Sequence, residues 1–253
     1  MDEGNPLMPF LTDRTVMAIR LCLALLLAAV LPGCATSGGN PADPFQPFNR
    51  VMFSFNDTVD AAVIKPVAQG YRKVVPGPIR TGVSNVFSNL EDVWICVNNL
   101  LQGKFEEGVE DLGRFIFNST FGIAGIFDFA SDVGFQKHNE DFGQTLGKWG
   151  VGSGAYLVLP FLGPSTVRDG IGFLVDTQAD PVWRIDNVPV RNTTVAFRFV
   201  SRRAELLDAS DILDQAALDK YSFLRDAWLQ RRRNLVYDGN PPREKEDEDE
   251  DSR

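Results

Sequence analysis

Between Pro78 and Gly103 the apolar residues fall in steps of three and four: Ile79, Val83, Val86, Leu90, Val93 or Trp94, Val97 and Leu101. That spacing lays them on one stripe of an α-helix and excludes a strand, whose faces alternate at every second residue. The other side of the same helix is polar, with Arg80, Asn85, Asn89, Glu91, Asp92 and Asn99. Pro78 suits a first helical turn, and Gly103 suits the stop. A second segment repeats the pattern, setting Phe105, Val109, Leu112 and Ile116 against Glu106, Glu107, Glu110 and Arg114. A late segment aligns Leu218, Tyr221, Leu224, Trp228 and Leu235, with Arg225 and Arg231 to Arg233 outside the line. Alternating strands are missing. Leu157-Val158-Leu159 is the best strand candidate, and Pro160 limits it. The chain therefore reads as an all-α single domain over residues 43–239, without an internal repeat.

Two segments break the amphipathic rule. Phe121 to Phe127 is apolar on every side, with Asp128 as its first charge, and Gly154 to Gly163 is similar. A segment of this kind is either deep core or in contact with hydrocarbon, and neither segment is long enough to span a bilayer. The 19 Phe against 4 Tyr and 4 Trp point the same way, because Phe is the aromatic residue with no polar handle.

The N-terminus supplies a reason to expect lipid. Arg14 and Arg20 precede an apolar run from Leu21 to Leu31. The run is too short for a transmembrane helix but has the length of a secretory h-region. It ends in Leu31-Pro32-Gly33-Cys34, followed by the flexible stretch Ala35 to Asn40. This arrangement resembles a bacterial lipobox. The resemblance implies a signal peptide over 1–33, cleavage before Cys34, acylation of Cys34 with palmitate-like chains, and a tether over 34–42. Two or more acyl chains form a stable anchor at ~0.8 kcal/mol per buried CH₂. Ala35, where an Asp commonly retains lipoproteins at the inner membrane, favours the outer membrane. With Cys22 removed and Cys34 acylated, Cys96 is left as a lone thiol, so no intramolecular disulfide can form; within Val93-Trp94-Ile95-Cys96-Val97 it reads as a small buried residue.

Composition removes several function classes. A net charge of −9 gives no electrostatic reason to bind nucleic acid. Residues 243–253 carry net −4, a solvated acidic tail over 240–253 by its composition, or a dock for a basic partner. One His and three Cys are few for a metal site. His138 lies among Lys137, Asn139, Glu140 and Asp141, so it is either a lone base or metal ligand or an ordinary loop residue. No Ser-His-Asp or Cys-His set can be assembled, and carboxylate pairs such as Asp57/Asp60 and Glu106/Glu110 are spaced as solvated helix faces. Gly150, Gly152 and Gly154 recur by twos with no helix start after them, which is the wrong spacing for a nucleotide loop and reads as tight, close-packed backbone. Arg231 to Arg233 point in three directions about 100° apart, so they read as a solvated helix end. No catalytic residue, metal or cofactor is expected.

A series of motifs then runs through the chain in order. Asp43-Pro44-Phe45-Gln46-Pro47-Phe48-Asn49-Arg50 opens it, followed by Lys65-Pro66-Val67-Ala68 and Pro78-Ile79-Arg80-Thr81-Gly82. Asn98-Asn99-Leu100-Leu101-Gln102-Gly103, Arg114-Phe115-Ile116-Phe117-Asn118 and Asp141-Phe142-Gly143-Gln144-Thr145-Leu146-Gly147 continue it. Leu159-Pro160-Phe161-Leu162-Gly163-Pro164 and Thr166-Val167-Arg168-Asp169 complete it. From Asp43 to Arg233 the chain resembles the MlaA/VacJ family of outer-membrane lipoproteins. The resemblance implies a ring-shaped all-α domain lying in the inner leaflet of the outer membrane beside trimeric porins. It implies an amphipathic channel that takes misplaced phospholipid from the outer leaflet and passes it to a soluble periplasmic carrier, which preserves lipid asymmetry. Direction would then come from partners, since no ATP motif is present. Within that reading the expected channel or gating residues are Asn49, Arg50, Gly150, Gly152, Gly154, Arg168 and Asp169. Arg168 would meet a lipid phosphate, or pair with a carboxylate of the same chain. The competing class is a structural lipoprotein that scaffolds porins or an envelope complex and moves no lipid; a lipid-cleaving hydrolase would need a nucleophile elbow and a base.

Overall fold

The structure is a computed structural model that describes residues 40–242. The signal segment, Cys34, most of the tether and the acidic residues 243–253 lie outside the described residues. The order is α1 (Gln46–Val59), a π-helical turn (Asp60–Ile64), α2 (Lys65–Val74), α3 (Gly77–Leu101) and α4 (Phe105–Thr120). Short helices α5 (Phe129–Asp132) and α6 (Phe142–Lys148) follow, then β1 (Tyr156–Leu159) and β2 (Gly163–Thr166). The chain closes with α7 (Val167–Ala179), a 3₁₀ turn (Pro181–Arg184), α8 (Val188–Glu205), α9 (Leu207–Ala216) and α10 (Lys220–Val236). The fold is helical, as the periodicity requires. The strand candidate is the first arm of an antiparallel hairpin in which Tyr156 faces Thr166 and Leu159 faces Gly163.

Helix boundaries follow local chemistry. Pro78 sits in the first turn of α3, and Gly103, at φ +80°, carries the chain out of it. The Asp141 side chain caps α6 by accepting from the Gln144 N–H at 2.9 Å. Thr166 caps α7: its hydroxyl accepts from Asp169 N–H at 3.2 Å and donates to the Asp169 carboxylate at 2.8 Å. α6 and α7 cross at Gly143 and Gly172, where a Cβ on Gly172 would stand 2.5 Å from the Gly143 nitrogen.

The apolar core is small and divided. Tyr156, Val158 and Tyr221 are buried together where the hairpin meets α1 and α10, with Met52, Phe53, Trp228 and Leu229 around them. Ala68, Ala204 and Leu207 form a second cluster between α2, α8 and α9. Outside these clusters α4 is packed inside out, and α3 is in part, with Ile95 and Cys96 of α3 buried. Their polar sides face inward: Asn89, Asp92, Asn98 and Asn99 on α3, and Asp111, Arg114 and Asn118 on α4, are buried. Their apolar stripes face outward: Ile79, Val93, Val97 and Leu101, then Phe105, Val109, Leu112 and Ile116, are exposed. The 3.6-residue period is the expected one, but the α4 stripe and these four positions of the α3 stripe are turned away from the protein, while Val83, Val86, Leu90 and Trp94 of α3 are half-buried. Phe121 to Phe127 resolves in the same sense. It is an exposed loop and not deep core, with Ile123, Ala124 and Gly125 at positive φ and Phe121, Ile123, Ile126 and Phe127 open at the surface. The second apolar segment divides, burying Tyr156 and Val158 but exposing Phe161 and Leu162 at the hairpin tip.

Candidate functional site

The inward-facing polar residues form a connected wall. Arg114, 2% exposed, donates to Asp128 through two bonds of 3.0 Å, to Ser131 Oγ at 3.0 Å and to the Phe135 carbonyl at 2.8 Å. Burial by itself would raise the Asp128 carboxyl, but bonds from Ser131, Asn118 and Arg114 outweigh it and hold it down to about 2. On α3, Asn99 donates to Asp111 at 2.7 Å, and Asn98 accepts from the Thr145 hydroxyl at 2.7 Å. Residues 135–141, without regular secondary structure, lie along this wall. Lys137 pairs with Asp92, His138 Nδ1 is 2.9 Å from Asp111, and Glu140 meets Lys104 at 3.0 Å and Gln102 at 2.7 Å. Several buried acceptors here, including Asp92 Oδ2, Asn99 Oδ1, Gln102 Oε1 and Gln144 Oε1, have no hydrogen-bond partner among the described residues. Unpaired buried acceptors cost about 1–3 kcal/mol each unless water reaches them, so this interior suits water and not packed hydrocarbon.

Beside the wall lies a cavity of about 480 Å³. One part of its lining is apolar and aromatic, with Leu162, Phe173, Trp183 and Phe199, and another part is charged, with Glu91, Asp176, Arg198, Arg202 and Arg231. A second cavity of about 660 Å³ shares Asn139, Glu140, Arg231 and Leu235 with it, and a third of about 170 Å³ shares Glu91, Asn139, Arg198 and Arg202. All three have Asn139 in their lining, and the 480 Å³ cavity has an oily side and an ionic side. The two larger cavities have the size of small-ligand sites.

The residues expected from the sequence are distributed differently. Asn49 is buried and bridges Asp43 and the hairpin, donating to Asp43 at 2.8 Å and to the Tyr156 carbonyl at 3.0 Å. Arg50 is exposed on the same helix and pairs with Asp219 at 2.6 Å. Gly150 and Gly154 have positive φ. The tight packing expected of the glycines holds at Gly154, where a Cβ would meet Val167 Cβ at 3.1 Å, and at the preceding Gly147, where it would meet Arg168 and Val236 at 2.8 Å, whereas Gly150 and Gly152 face open space. Arg168 is buried and paired with Asp169 at 3.0 Å. None of Asn49, Arg50, Gly150, Gly152, Gly154, Arg168 and Asp169 lines the 480 Å³ cavity. His138 is a loop residue bonded to Asp111, and Cys96 is a buried free thiol.

On α10, Arg225, outside the apolar line as expected, is buried and reaches Asp43 at 3.2 Å. One expectation for this helix is overturned: Arg232 is not part of a solvated helix end. It makes two 2.5 Å bonds to Asp141 and one of 2.9 Å to Asp169, tying α10 to the caps of α6 and α7. Both carboxylates lie far along the chain, so the sequence around Arg232 held no sign of them. Sequence reading also passed over Asp176, Arg198 and Arg202; the spacing of Arg198 and Arg202 by one helical turn was the available signal.

A fold with helices that hide polar faces and show apolar ones, beside a part-ionic, part-oily cavity, belongs to the class of proteins that work in contact with lipid. The family model of the MlaA lipoproteins matches residues 41–235, and the chain belongs to that family. It is 36% identical over 222 residues to the intermembrane phospholipid transport system lipoproteins MlaA of Shigella flexneri and of Escherichia coli (strain K12), covering 85% of this chain and 88% of each relative. The namesake in Haemophilus influenzae is 33% identical over 232 residues, covering 88% of this chain and 92% of its own length. A solved structure described as the structural basis for maintenance of bacterial outer membrane lipid asymmetry superposes with a TM-score of 0.67 at 35% identity, covering 77% of this chain and 98% of that one.

Proposed function

We propose that this chain is a phospholipid-transport lipoprotein that maintains outer-membrane lipid asymmetry as a passive amphipathic conduit. Acylated Cys34 holds it at the periplasmic face of the outer membrane. The helical body forms a ring in the inner leaflet beside trimeric porins, with the outward stripes of α3 and α4 in hydrocarbon. A phospholipid leaving the outer leaflet keeps its headgroup in the ionic cavity and its tails along the apolar lining, and a soluble periplasmic carrier receives it. No bond is made or broken. The observation that carries the reading is the inversion of α4 and of part of α3, because an apolar surface of that extent is unfavourable in water and favourable in lipid. The kinship to phospholipid-transport lipoproteins supports it.

The test is deletion of the gene, with surface-exposed phospholipid measured by labelling from outside. Surface phospholipid and detergent sensitivity rise in the deletion strain, and the chain with Cys34→Ala, which lacks the acyl anchor, does not return them to the wild-type level. Unchanged surface lipid in a clean deletion refutes the conduit and returns the chain to the scaffold class.

A further inference from the structure

The 480 Å³ cavity carries five carboxylates, and four of them have a cation of their own. Glu91 and Asp180 share Arg198 at 2.5 and 2.6 Å, Glu140 holds Lys104 at 3.0 Å, and Asp141 holds Arg232 at 2.5 Å. Asp176 has no cation within ion-pair distance among the described residues. Its Oδ1 accepts the Trp94 indole N–H at 2.7 Å and the Phe142 N–H at 2.9 Å, which fix its position but leave the negative charge uncompensated. Burial holds this carboxyl above its usual range, against those two bonds. An unmatched carboxylate on a half-apolar wall is unfavourable until a cation arrives.

The guanidinium groups of the same cavity show the complement. Arg198 and Arg232 are paired with the carboxylates named above. Arg202 touches only Glu91, at 3.5 Å, and is largely exposed. Arg231 lines both this cavity and the neighbouring one and has no partner among the described residues. The cavity thus presents one anion and one cation that no described residue pairs with, beside aromatic surface. A ligand that satisfies both carries a positive and a negative group in one polar head, together with an apolar body.

We infer that the cavity recognises the headgroup of a zwitterionic glycerophospholipid, the phosphodiester at Arg231 with Arg202 beside it and a primary ammonium at Asp176. Phosphoethanolamine lipids are therefore preferred over phosphoglycerol lipids, which offer Asp176 no cation. The inference rests on the conduit reading and adds the substrate class. A charge-assisted hydrogen bond of this kind supports a preference of about tenfold.

The test is competition between phosphatidylethanolamine and phosphatidylglycerol of identical acyl chains for the detergent-solubilised, acylated full chain, read as bound lipid by native mass spectrometry. The expected result is about tenfold preference for the ethanolamine lipid in the wild type, falling to within about twofold in Asp176→Asn. Asn keeps the acceptor for Trp94 and Phe142, so the wall stays in place. Arg231→Gln, a change at an exposed position, weakens both lipids. Retention of the tenfold ratio by Asp176→Asn, or unaltered binding of both lipids by Arg231→Gln, overturns the inference and leaves the conduit reading intact. A wild-type chain that retains neither lipid overturns both.

Discussion

The inversion of α4 is tested most directly by placing charge on its outward stripe. Val109 and Ile116 are 67% and 55% exposed and lie seven residues apart on one face. In water, lysine at either position should be near neutral, since surface substitutions usually stay within about 0.5 kcal/mol. In hydrocarbon the outcome differs. Fully burying a Val or Ile side chain is worth about 1.5–3 kcal/mol, so the exposed part of each loses about 1 kcal/mol on replacement. A lysine at membrane depth adds about 2.5–3.5 kcal/mol at the centre, much less where it can reach the headgroups. Allowing for that escape, Val109→Lys with Ile116→Lys costs at least about 3 kcal/mol in membrane affinity, or roughly two orders of magnitude in partition coefficient. The assay is co-flotation of the signal-less Cys34→Ala chain with phospholipid vesicles, alongside urea unfolding of the same variant in detergent. Partition should collapse while the urea midpoint holds. A variant that floats like its parent, or one that unfolds because the two side chains were packed inside, refutes the reasoning.

Other perturbations probe the polar interior. Arg114→Met leaves Asp128 and Asp92 without their buried guanidinium neighbour. The loss should be about 3 kcal/mol, the lower end for a broken buried pair because Asp128 is partly exposed; a urea shift under about 1 kcal/mol would mean that solvent already screens the site. Gly172→Ala forces α7 away from the Gly143 backbone, so unfolding should move by about 1–3 kcal/mol, and an unchanged midpoint would show that the two helices are not in contact. Stability against pH has two opposed parts. Asp128 and Asp141 are held below the usual carboxylate range, because hydrogen-bonding partners, Arg114 and Arg232 among them, outweigh burial; their contribution is present above about pH 4 and is lost as pH falls toward 2. Burial raises Asp92, Glu140 and Asp176, whose contribution is present below about pH 4 and is lost as pH rises through their elevated values. Urea midpoints from pH 7 to 2.5 should therefore stay level or rise slightly to about pH 5 and drop below about pH 4; a steady decline from pH 7 would contradict this balance.

Much of this protein could be read from neighbours along the chain. The helical period of α3 and α4, the stops at Gly103 and Pro160, and the short strand at Leu157 are local properties, because propensity, capping and periodicity act over a turn or two. The same period does not say which side of a helix faces inward. A stripe of Ile79, Val93, Val97 and Leu101 fits a core or a bilayer equally well, and only the assembled fold turned it outward and buried Asn98, Asn99, Asp111 and Arg114. Arg232 shows the same limit: its row of three arginines suggests a solvated end, yet Asp141 and Asp169 arrive from 91 and 63 residues away to bury it. Asp176 and Arg231 carry no motif, and their meaning lies in the ion-pair partners that every other charge around the cavity has found and that these two lack among the described residues. Local sequence fixes conformation through short-range sterics and hydrogen bonds. Sidedness and charge pairing depend on distant segments and on the surrounding solvent, so they were decided only when the chain was folded.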